Sequence, residues 1–586
     1  MRDNDVLFFN LHRPYLDSVV GKGGFAGIYL LAAFLNDNGY WAQSFSGTLK
    51  DGNSILEDAC LSCVPKVVGL YCDYGNVTEN IWFCRHIKEK YNIPVIIGGP
   101  QATALKKDFY EESNCDAVVI GEGELTVLEL VDYFIDGTGS LNEIDGIRIL
   151  QNGELIATKP RNLVMNLDNL PFVTEECYLD PTRISDELWI LTGRGCPFHC
   201  AFCHEGHHTQ KVRFRSVENV IKEVDKFLEK HSGKAVRLYF TDDTFTLDSK
   251  RVKEMCEALA KRRERSNLRW FCEGHVHTIL KHPEMLEYLA MGGCQRLQLG
   301  IEALTVEELD EYGKNTTPEE IFEVVKLCTE AGIDQIYGNI ILGGAHFSRE
   351  KAKINLERAK ELISFAKGSL ELSVISFWPL PNTTMTKNPS KFGMKIVDLD
   401  FDEAVDDLPQ TETDDLTRWD IAEIMNTMND ALTQHMLDML RNEVVPLEKI
   451  FTWFDEKDDF NYGGRWHRTL YTDAPLYSYY HLLGMHEAQK QAAVENFWHS
   501  AYPVRVIPIF KHVKKTSDGA KILVSGNKEI FINELECQTL LLSTGRHDIA
   551  WVLKELNNRG FIVDDEILHN IYDKLEKHHL VVFLSE

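Results

Sequence analysis

Short runs of consecutive apolar residues alternate with helical segments through the first part of the chain: Val6-Leu7-Phe8-Phe9, Val67-Val68-Gly69-Leu70, Val95-Ile96-Ile97 and Ala117-Val118-Val119-Ile120. Strands that are apolar at successive positions have both faces buried, as in a parallel sheet covered by helices. The pattern predicts a doubly wound α/β domain. Its strands run into Gly98-Gly99-Pro100 and Gly121-Glu122-Gly123-Glu124, where small residues let a ligand approach the backbone at the carboxyl ends of the strands.

From Thr138 to Ile184 the signals are turns and short strands, among them Gly146-Ile147-Arg148-Ile149 and Asn152-Gly153, and they read as a linker with a hairpin. A second alternating series begins at Trp189-Ile190-Leu191-Thr192. Ser216 is the expected N-cap of a helix whose apolar positions are Val217, Val220, Ile221, Val224, Phe227 and Leu228, with Gly233 beyond its end. Further strands are expected at Val236 to Phe240, around Trp270-Phe271, and at Arg296 to Ile301, Ile336 to Leu342 and Leu372 to Phe377. Repeated β/α units of this kind predict a full or partial barrel.

Beyond the barrel, Asp398 to Asp415 hold nine carboxylates and no Lys or Arg, which reads as an exposed, self-repelling connector. An amphipathic helix follows at Ile421 to Leu440, and then an aromatic region with Trp466, His467, Tyr471, Tyr477, Tyr479, Tyr480, His481, Trp498 and His499, mostly core. Residues from Lys521 onward read as two short strands, three helices and a final apolar strand. The resulting organisation is residues 1–137 doubly wound, 138–185 linker, 186–395 partial barrel, 396–517 acidic loop and helical region, and 518–586 a small terminal domain.

Composition changes this picture little. The 586 residues suit about three to five domains at roughly 100–200 residues each. The formal net charge of −28 argues against a phosphate-seeking surface and hence against nucleic acid as a partner. No signal-peptide core follows Met1, and the apolar stretch from Phe25 to Leu35 is about half the roughly 20 residues that span a bilayer. The expectation is a cytoplasmic protein without a membrane partner, whose 14 cysteines are thiols or metal ligands rather than disulfides.

Three of those cysteines stand apart. Gly195-Cys196-Pro197-Phe198-His199-Cys200-Ala201-Phe202-Cys203 has the spacing C-x3-C-x2-C directly after a strand. Three thiolates on one tight loop can hold three irons of a four-iron cluster and leave the fourth open to another ligand. Zinc is the competing reading, because His204, His207 and His208 follow closely, although no second Cys pair completes a structural zinc pattern.

The cysteine spacing, with an aromatic just before the third cysteine, resembles the radical S-adenosylmethionine (SAM) superfamily. Tyr239-Phe240-Thr241-Asp242-Asp243-Thr244-Phe245, Gly300-Ile301-Glu302, Gly332-Ile333 with Ile341-Leu342-Gly343-Gly344, and Pro379-Leu380-Pro381-Asn382-Thr383 are similar to segments of its cobalamin-linked branch. Asn382 replaces a Gly there, a mild departure because Asn tolerates a left-handed backbone. His275 and His277 stand where the family commonly has Arg and Asp, marking altered SAM contacts, a substrate-specific site, or a histidine pair of the core or surface.

The resemblance implies a [4Fe-4S] cluster on Cys196, Cys200 and Cys203, with SAM contacted by Phe202, Asp242, Asp243, Glu273 and Glu302. The first domain resembles the cobalamin-binding domain that precedes the barrel in this branch. That likeness implies cobalamin contacts from Gly69, Tyr71, Cys72, Asp73, Gly98, Gly99, Pro100, Gly121, Glu122 and Gly123. The Asp-x-His-x-x-Gly motif that carries a cobalt-ligating histidine elsewhere is absent from this domain, so the loop Tyr71-Cys72-Asp73-Tyr74-Gly75-Asn76 would cover the lower corrin face.

The implied activity is C-methylation of an unactivated carbon with two SAM per turnover and an electron donor such as flavodoxin or ferredoxin. The terminal domain, with Ile530-Phe531-Ile532-Asn533, Thr539-Leu540-Leu541-Leu542 and Ile549, Val552 and Leu556, resembles the winged-helix, PqqD-like recognition domain of ribosomal-peptide maturases. Such domains add a leader peptide as a strand to a sheet edge, making a precursor peptide the expected substrate and a small molecule its rival. The alternatives are a non-methylating radical cyclase or rearrangement enzyme, and a metal-containing peptide-binding adaptor. The cluster reading has a direct check: anaerobic reconstitution is expected to give the absorption and electron-spin signature of a four-iron cluster, lost when Cys196, Cys200 and Cys203 are together changed to Ala.

Overall fold

In the first strand, Leu7, Phe9 and Leu11 pack into one buried cluster, while Val6 and Phe8 pack into another on the opposite side. A period of two with both sides apolar makes this a central strand, and helices cover both faces of its sheet. The computed structural model describes residues 4–12, 26–73, 75–184, 187–205, 211–231, 234–397, 408–454, 464–485, 498–506, 513–524 and 528–584. Tyr74, His207, His208, Gly233 and residues 398–407 of the acidic segment lie outside them.

The strands of this sheet are β1 (Val6–His12), β2 (Ala42–Thr48), β3 (Val67–Tyr71), β4 (Val95–Gly98), β5 (Ala117–Val119), β6 (Ile147–Gln151) and β7 (Glu154–Ala157). Their order is β2-β1-β3-β4-β5-β6-β7, with β1 to β5 parallel and β6 and β7 antiparallel. The chain reverses its direction of winding between β1 and β3, and a crevice opens there at the carboxyl ends of the strands. The hairpin expected in the linker is β6-β7, and it extends this sheet by hydrogen bonding to β5, so the first sheet continues to Ala157.

The second sheet contains β8 (Glu187–Ile190), β11 (Ala235–Phe240), β12 (Asn267–Gly274), β13 (Cys294–Glu302), β14 (Gln335–Leu342) and β15 (Leu370–Ser376), in the order β15-β14-β13-β12-β11-β8. Neighbours from β8 to β14 are parallel. The six strands form one core sheet with β8 and β15 as its ends, the partial barrel expected from the β/α rhythm. Between β8 and β11 lie β9 (Gly193–Arg194) and β10 (Arg213–Phe214), an antiparallel clasp that closes the base of the cysteine loop. Ser216 caps the helix Val217–Lys230 as expected, its hydroxyl accepting from Asn219 N.

Alternation along β12 and β13 decides what faces the barrel interior. Leu268, Trp270 and Cys272 of β12 and Leu297, Leu299 and Ile301 of β13 are buried, which leaves Glu273, Gln298, Gly300 and Glu302 on a shared cavity wall. Every charged side chain of that wall comes from positions that a simple apolar count treats as solvent-facing.

The chain forms two compact units, one of residues 1–358 and 372–428, which ends in the antiparallel pair β16 (Met394–Ile396) and β17 (Thr411–Thr413) and the first part of a long helix, and one of residues 359–371 and 429–586. In the second, Trp466 Nε1 donates to Leu370 O at 2.8 Å, Tyr480 Oη to Leu440 O at 2.6 Å, and Arg441 pairs with Asp473 at 2.8 Å. The two short strands expected from Lys521 onward are β20 (Gly519–Val524) and β21 (Lys528–Asn533), and β19 (Val513–Lys515), upstream of that span, adds a third in the order β19-β20-β21. The helices Glu534–Leu542, Ile549–Asn558 and Asp565–Lys577 follow, and β22 (Val581–Leu584) pairs with β18 (Tyr502–Arg505). The additional strand was hidden by its Lys-rich composition, Val513-Lys514-Lys515, which suits an edge.

Leu297 of β13 is fully buried, and Leu297→Ala is expected to lower the stability of the barrel by about 2–5 kcal/mol. Denaturant titration of the apoprotein, followed through tryptophan fluorescence, measures this.

Candidate functional site

Two of the cavities in the first unit border the cysteine loop. One, of about 310 Å³, opens at the carboxyl ends of the doubly wound strands; Gly69, Tyr71, Gly98, Gly99, Gly121, Glu122 and Gly123 are on its wall. The other, of about 340 Å³, fills the barrel end and is lined by Cys196, Cys200, Cys203, Phe202, Glu273 and Glu302 among others. Asp243 lies on the wall of both.

The cysteine loop is held at several points. Ala201 N donates to Tyr312 O at 2.8 Å and Met385 N to Ala201 O at 3.0 Å, while Gly195 N donates to Asp243 Oδ2 at 2.9 Å. His204 Nδ1 lies 2.9 Å from Pro381 O, so this histidine ties the loop to the Pro379–Thr383 turn. Asn382 in that turn has φ 66°, the left-handed backbone that the substitution for Gly allows. Among the described residues, no three of His, Cys, Asp and Glu converge on a single-ion site. The three thiols instead share one cavity wall, as ligands of separate irons in a cluster must. Burial pushes the Cys200 thiol up, partly offset by Lys314.

The barrel wall is dominated by carboxyl groups. Burial, then the neighbouring Asp243 and Glu302, push Glu273 up to about 7. Burial and Glu205 push Asp243 up to about 6. Glu302 ends β13 at φ 61°, a left-handed conformation in a non-glycine residue where the pairing with β14 shifts register. Its Oε1 meets Lys314 Nζ at 3.2 Å, with Lys314 only 3% exposed. Burial pushes that ammonium down, but Glu302 and the cysteines more than offset it and hold it above its ordinary value. Lys314 is a site residue that sequence reasoning missed. Gly300 was the available signal, since a Cβ there would lie 2.4 Å from Lys314 Nζ.

Some expected residues belong elsewhere. Asp242 was expected to contact SAM, yet it is 3% exposed and does not line the barrel cavity. Its Oδ1 accepts from Thr192 N at 2.6 Å and Gly193 N at 2.9 Å, and its Oδ2 from Thr192 Oγ1. Asp242 thus anchors the start of the cysteine loop, while Asp243, next to it in the segment after β11, reaches the cavities. Cys72, Asp73 and Pro100 are likewise off the wall of the first cavity. Cys72 is fully buried, Asp73 accepts from Gly75 N at 2.9 Å, and Pro100 starts a 3-10 turn. Gly99 is forced by the same packing: with φ 120°, its Cβ would lie 2.4 Å from Cys72 O.

Glu122 lines the first cavity, but its carboxylate is committed to protein. Arg213 Nη2 and Nη1 approach it at 2.6 and 3.0 Å, Val164 N at 3.0 Å and Arg194 at 3.5 Å. Arg194 also meets Glu124 at 2.5 Å. Phe8, Ile28, Leu31, Ile96, Val119 and Val127 supply an apolar wall to this cavity that the glycine motifs did not announce. The fit to a large, mostly apolar macrocycle rests on that wall together with the glycine-lined strand ends.

Comparison with known proteins agrees with this geometry. Residues 190–356 match the radical SAM superfamily. An uncharacterized methyltransferase of Pyrococcus horikoshii is 32% identical over 304 residues, covering 51% of this chain and 64% of the relative. The anaerobic magnesium-protoporphyrin IX monomethyl ester cyclase of Cereibacter sphaeroides is 26% identical over 246 residues, covering 41% of this chain and 40% of the relative. The chain thus spans about two-fifths to two-thirds of the length of these curated relatives, 40% and 64%. The solved structure of OxsB, a cobalamin-dependent SAM radical enzyme with aqua-cobalamin and SAM bound, aligns with TM-score 0.59 at 18% identity over 98% of this chain and 84% of that one. Residues 190–356 are thus similar to radical SAM domains, and the α/β core of parallel strands is a fold shared with a solved cobalamin-dependent enzyme. Among the described residues no helix is long and apolar enough to cross a membrane.

The raised carboxyl of Glu273 sets a pH dependence. A folded-state value near 7 against an ordinary 4.5 means that the native protein binds more protons than the unfolded chain between those values. Stability of the cluster-free protein is therefore expected to fall as pH rises through this window. Denaturant midpoints at pH 5 and pH 8 should differ less in Glu273→Gln than in the wild type.

Proposed function

We propose that this chain is a cobalamin-dependent radical SAM C-methyltransferase. The observation that carries the reading is the adjacency of the two cavities: the cysteine loop and Asp243 form a common border between the glycine-lined strand ends and the barrel interior. Methyl donation on one side and hydrogen removal on the other need such a border, because both must reach the same substrate carbon.

Cys196, Cys200 and Cys203 would hold the cluster, which when bound supplies the electron that cleaves SAM to methionine and a 5′-deoxyadenosyl radical. The apolar first cavity would hold the corrinoid, the source of the transferred methyl group. The chain's own side chains bind, orient and shield. Phe202 packs edge to face on Tyr312 with ring centroids 5.3 Å apart, and Phe198 stacks on His275 at 3.8 Å, so two aromatic contacts close the loop against the barrel. Water exclusion of this kind protects a carbon radical from side reactions. Burial raises Glu273 to about 7 and Asp243 to about 6, so near neutral pH the cavity carries less negative charge than exposed carboxylates would give it.

For the substrate, the reading is a ribosomally made precursor peptide, and its support is the terminal domain. β21 is an end strand of its sheet, with Phe531 46% exposed and the nearby helix beginning at Asp565 presenting Ile567, 39% exposed. An open edge beside apolar side chains suits addition of a peptide strand. The electron donor is proposed to be a flavodoxin or ferredoxin.

Anaerobically reconstituted protein supplied with cobalamin, SAM, reduced flavodoxin and a candidate precursor peptide is expected to form S-adenosylhomocysteine and 5′-deoxyadenosine together. Formation of 5′-deoxyadenosine alone would mean a non-methylating reaction, and failure to retain corrinoid would remove the methylation reading. Deletion of residues 518–586 is expected to abolish peptide methylation while leaving slow SAM cleavage intact; unchanged methylation would discard the leader-binding role.

A further inference from the structure

The unused group in the barrel cavity is His275. It follows β12, caps the helix Val276–Lys281 and is 6% exposed, with its ring stacked on Phe198 of the cysteine loop at 3.8 Å and 12°. The backbone N–H of His277 donates to His275 Nδ1 at 3.2 Å. Nδ1 must therefore be the unprotonated nitrogen, and the proton of the neutral ring sits on Nε2. Burial, with Lys314 and His277 nearby, keeps the ring neutral by pushing its imidazolium well down, to about 3. His275 Nε2 is buried and has no hydrogen-bond partner. A buried N–H donor is rarely left unsatisfied, and the ring lies on the wall of the cavity that holds the three thiols.

The remaining charge on this wall is informative. Asp243, Glu273 and Glu302 are acidic, while Lys314 and His275 are the two basic residue types present. A carboxylate entering such a cavity meets repulsion except where those two stand. Lys314 is already paired with Glu302, which leaves the neutral N–H of His275 as an uncommitted donor.

We propose that His275 is a positioning residue for the carboxylate of SAM, its Nε2–H donating to a methionyl carboxylate oxygen. The assignment rests on the radical SAM reading above. It gives the histidine a role that a cationic side chain could not fill in the same way: a neutral donor holds the carboxylate without adding a second positive charge beside Lys314, and its direction is set by the Nδ1 bond to the helix.

The test is calorimetric binding to the anaerobically reconstituted full-length protein with two probes. S-adenosylhomocysteine carries the carboxylate; 5′-methylthioadenosine lacks the whole amino-acid end. His275→Phe retains an aromatic ring against Phe198 and removes the donor, and is expected to weaken S-adenosylhomocysteine roughly tenfold, the value of one hydrogen bond to a charged group. His275→Gln, which restores an N–H, is expected to recover most of that loss, and 5′-methylthioadenosine should bind all three proteins equally. Equal affinity of the wild type and His275→Phe for S-adenosylhomocysteine would overturn the proposal, as would a parallel loss for 5′-methylthioadenosine, which would indicate collapse of the cavity. A wild-type protein that assembles its cluster yet binds neither probe would refute the radical SAM reading itself, and this assignment with it.

Discussion

Four charged side chains hold the two cofactor-sized cavities against each other. Glu122 and Glu124 project from the loop after β5, Arg194 and Arg213 from the two strands that clasp the cysteine loop, and Glu124 and Arg213 are each 4% exposed. Removing these charges from water is costly, and the cost is offset only because the partners meet in near-ideal geometry with hydrogen bonds on several atoms. A buried network of this kind is intolerant of displacement. Shifting the clasp by an ångström or two would strand carboxylates and guanidiniums without partners, so the position of the cysteine loop relative to the doubly wound sheet is sharply defined.

From that constraint the rest of the site follows. With the clasp fixed, Asp242 can reach back across the strand end to Thr192 and Gly193, and Asp243 can face outward to both cavities. The loop's far side is tied by Tyr312, Met385 and the Pro381 carbonyl, which come from two later segments of the barrel. The thiols are thus held by elements spread over much of the domain, as a cluster site has to be if its geometry is to survive the binding and release of ligands. The strained backbone of Glu302 belongs to the same set: a left-handed residue at a register shift turns its carboxylate toward Lys314.

Much of this was legible in the linear chain. Consecutive apolar residues marked β1, β3, β4 and β5 because strands buried on both faces leave no polar position, and the cysteine spacing stood out because it must lie within one turn of backbone. Asp242 and Asp243 show where legibility ended. Neighbours in sequence, they were read alike, and the segment after β11 turns one into a hydrogen-bonded anchor and the other into the cavities. Cys72, Asp73 and Pro100 were implied as ligand contacts by the likeness to a cobalamin-binding domain, but the Cys72 backbone packs against Gly99 and none of the three lines the crevice. Lys314 was missed outright, since nothing local distinguishes a lysine in Gly313-Lys314-Asn315 from any surface cation.

The sequence alone determined the class of fold, the order of the β/α units and the place of the three-cysteine loop, since all three depend on periodicities or spacings that act over a few residues. Tertiary structure decided which charged groups face a cavity and which are spent on one another. Glu122 and Glu273 look equivalent in the chain, yet one is consumed by arginines and the other is left as a nearly neutral acid in the barrel. The difference arises from distance and dielectric: the energy of a charge is set by what lies within a few ångströms of it and by how much water is excluded, and both come from residues far away along the chain.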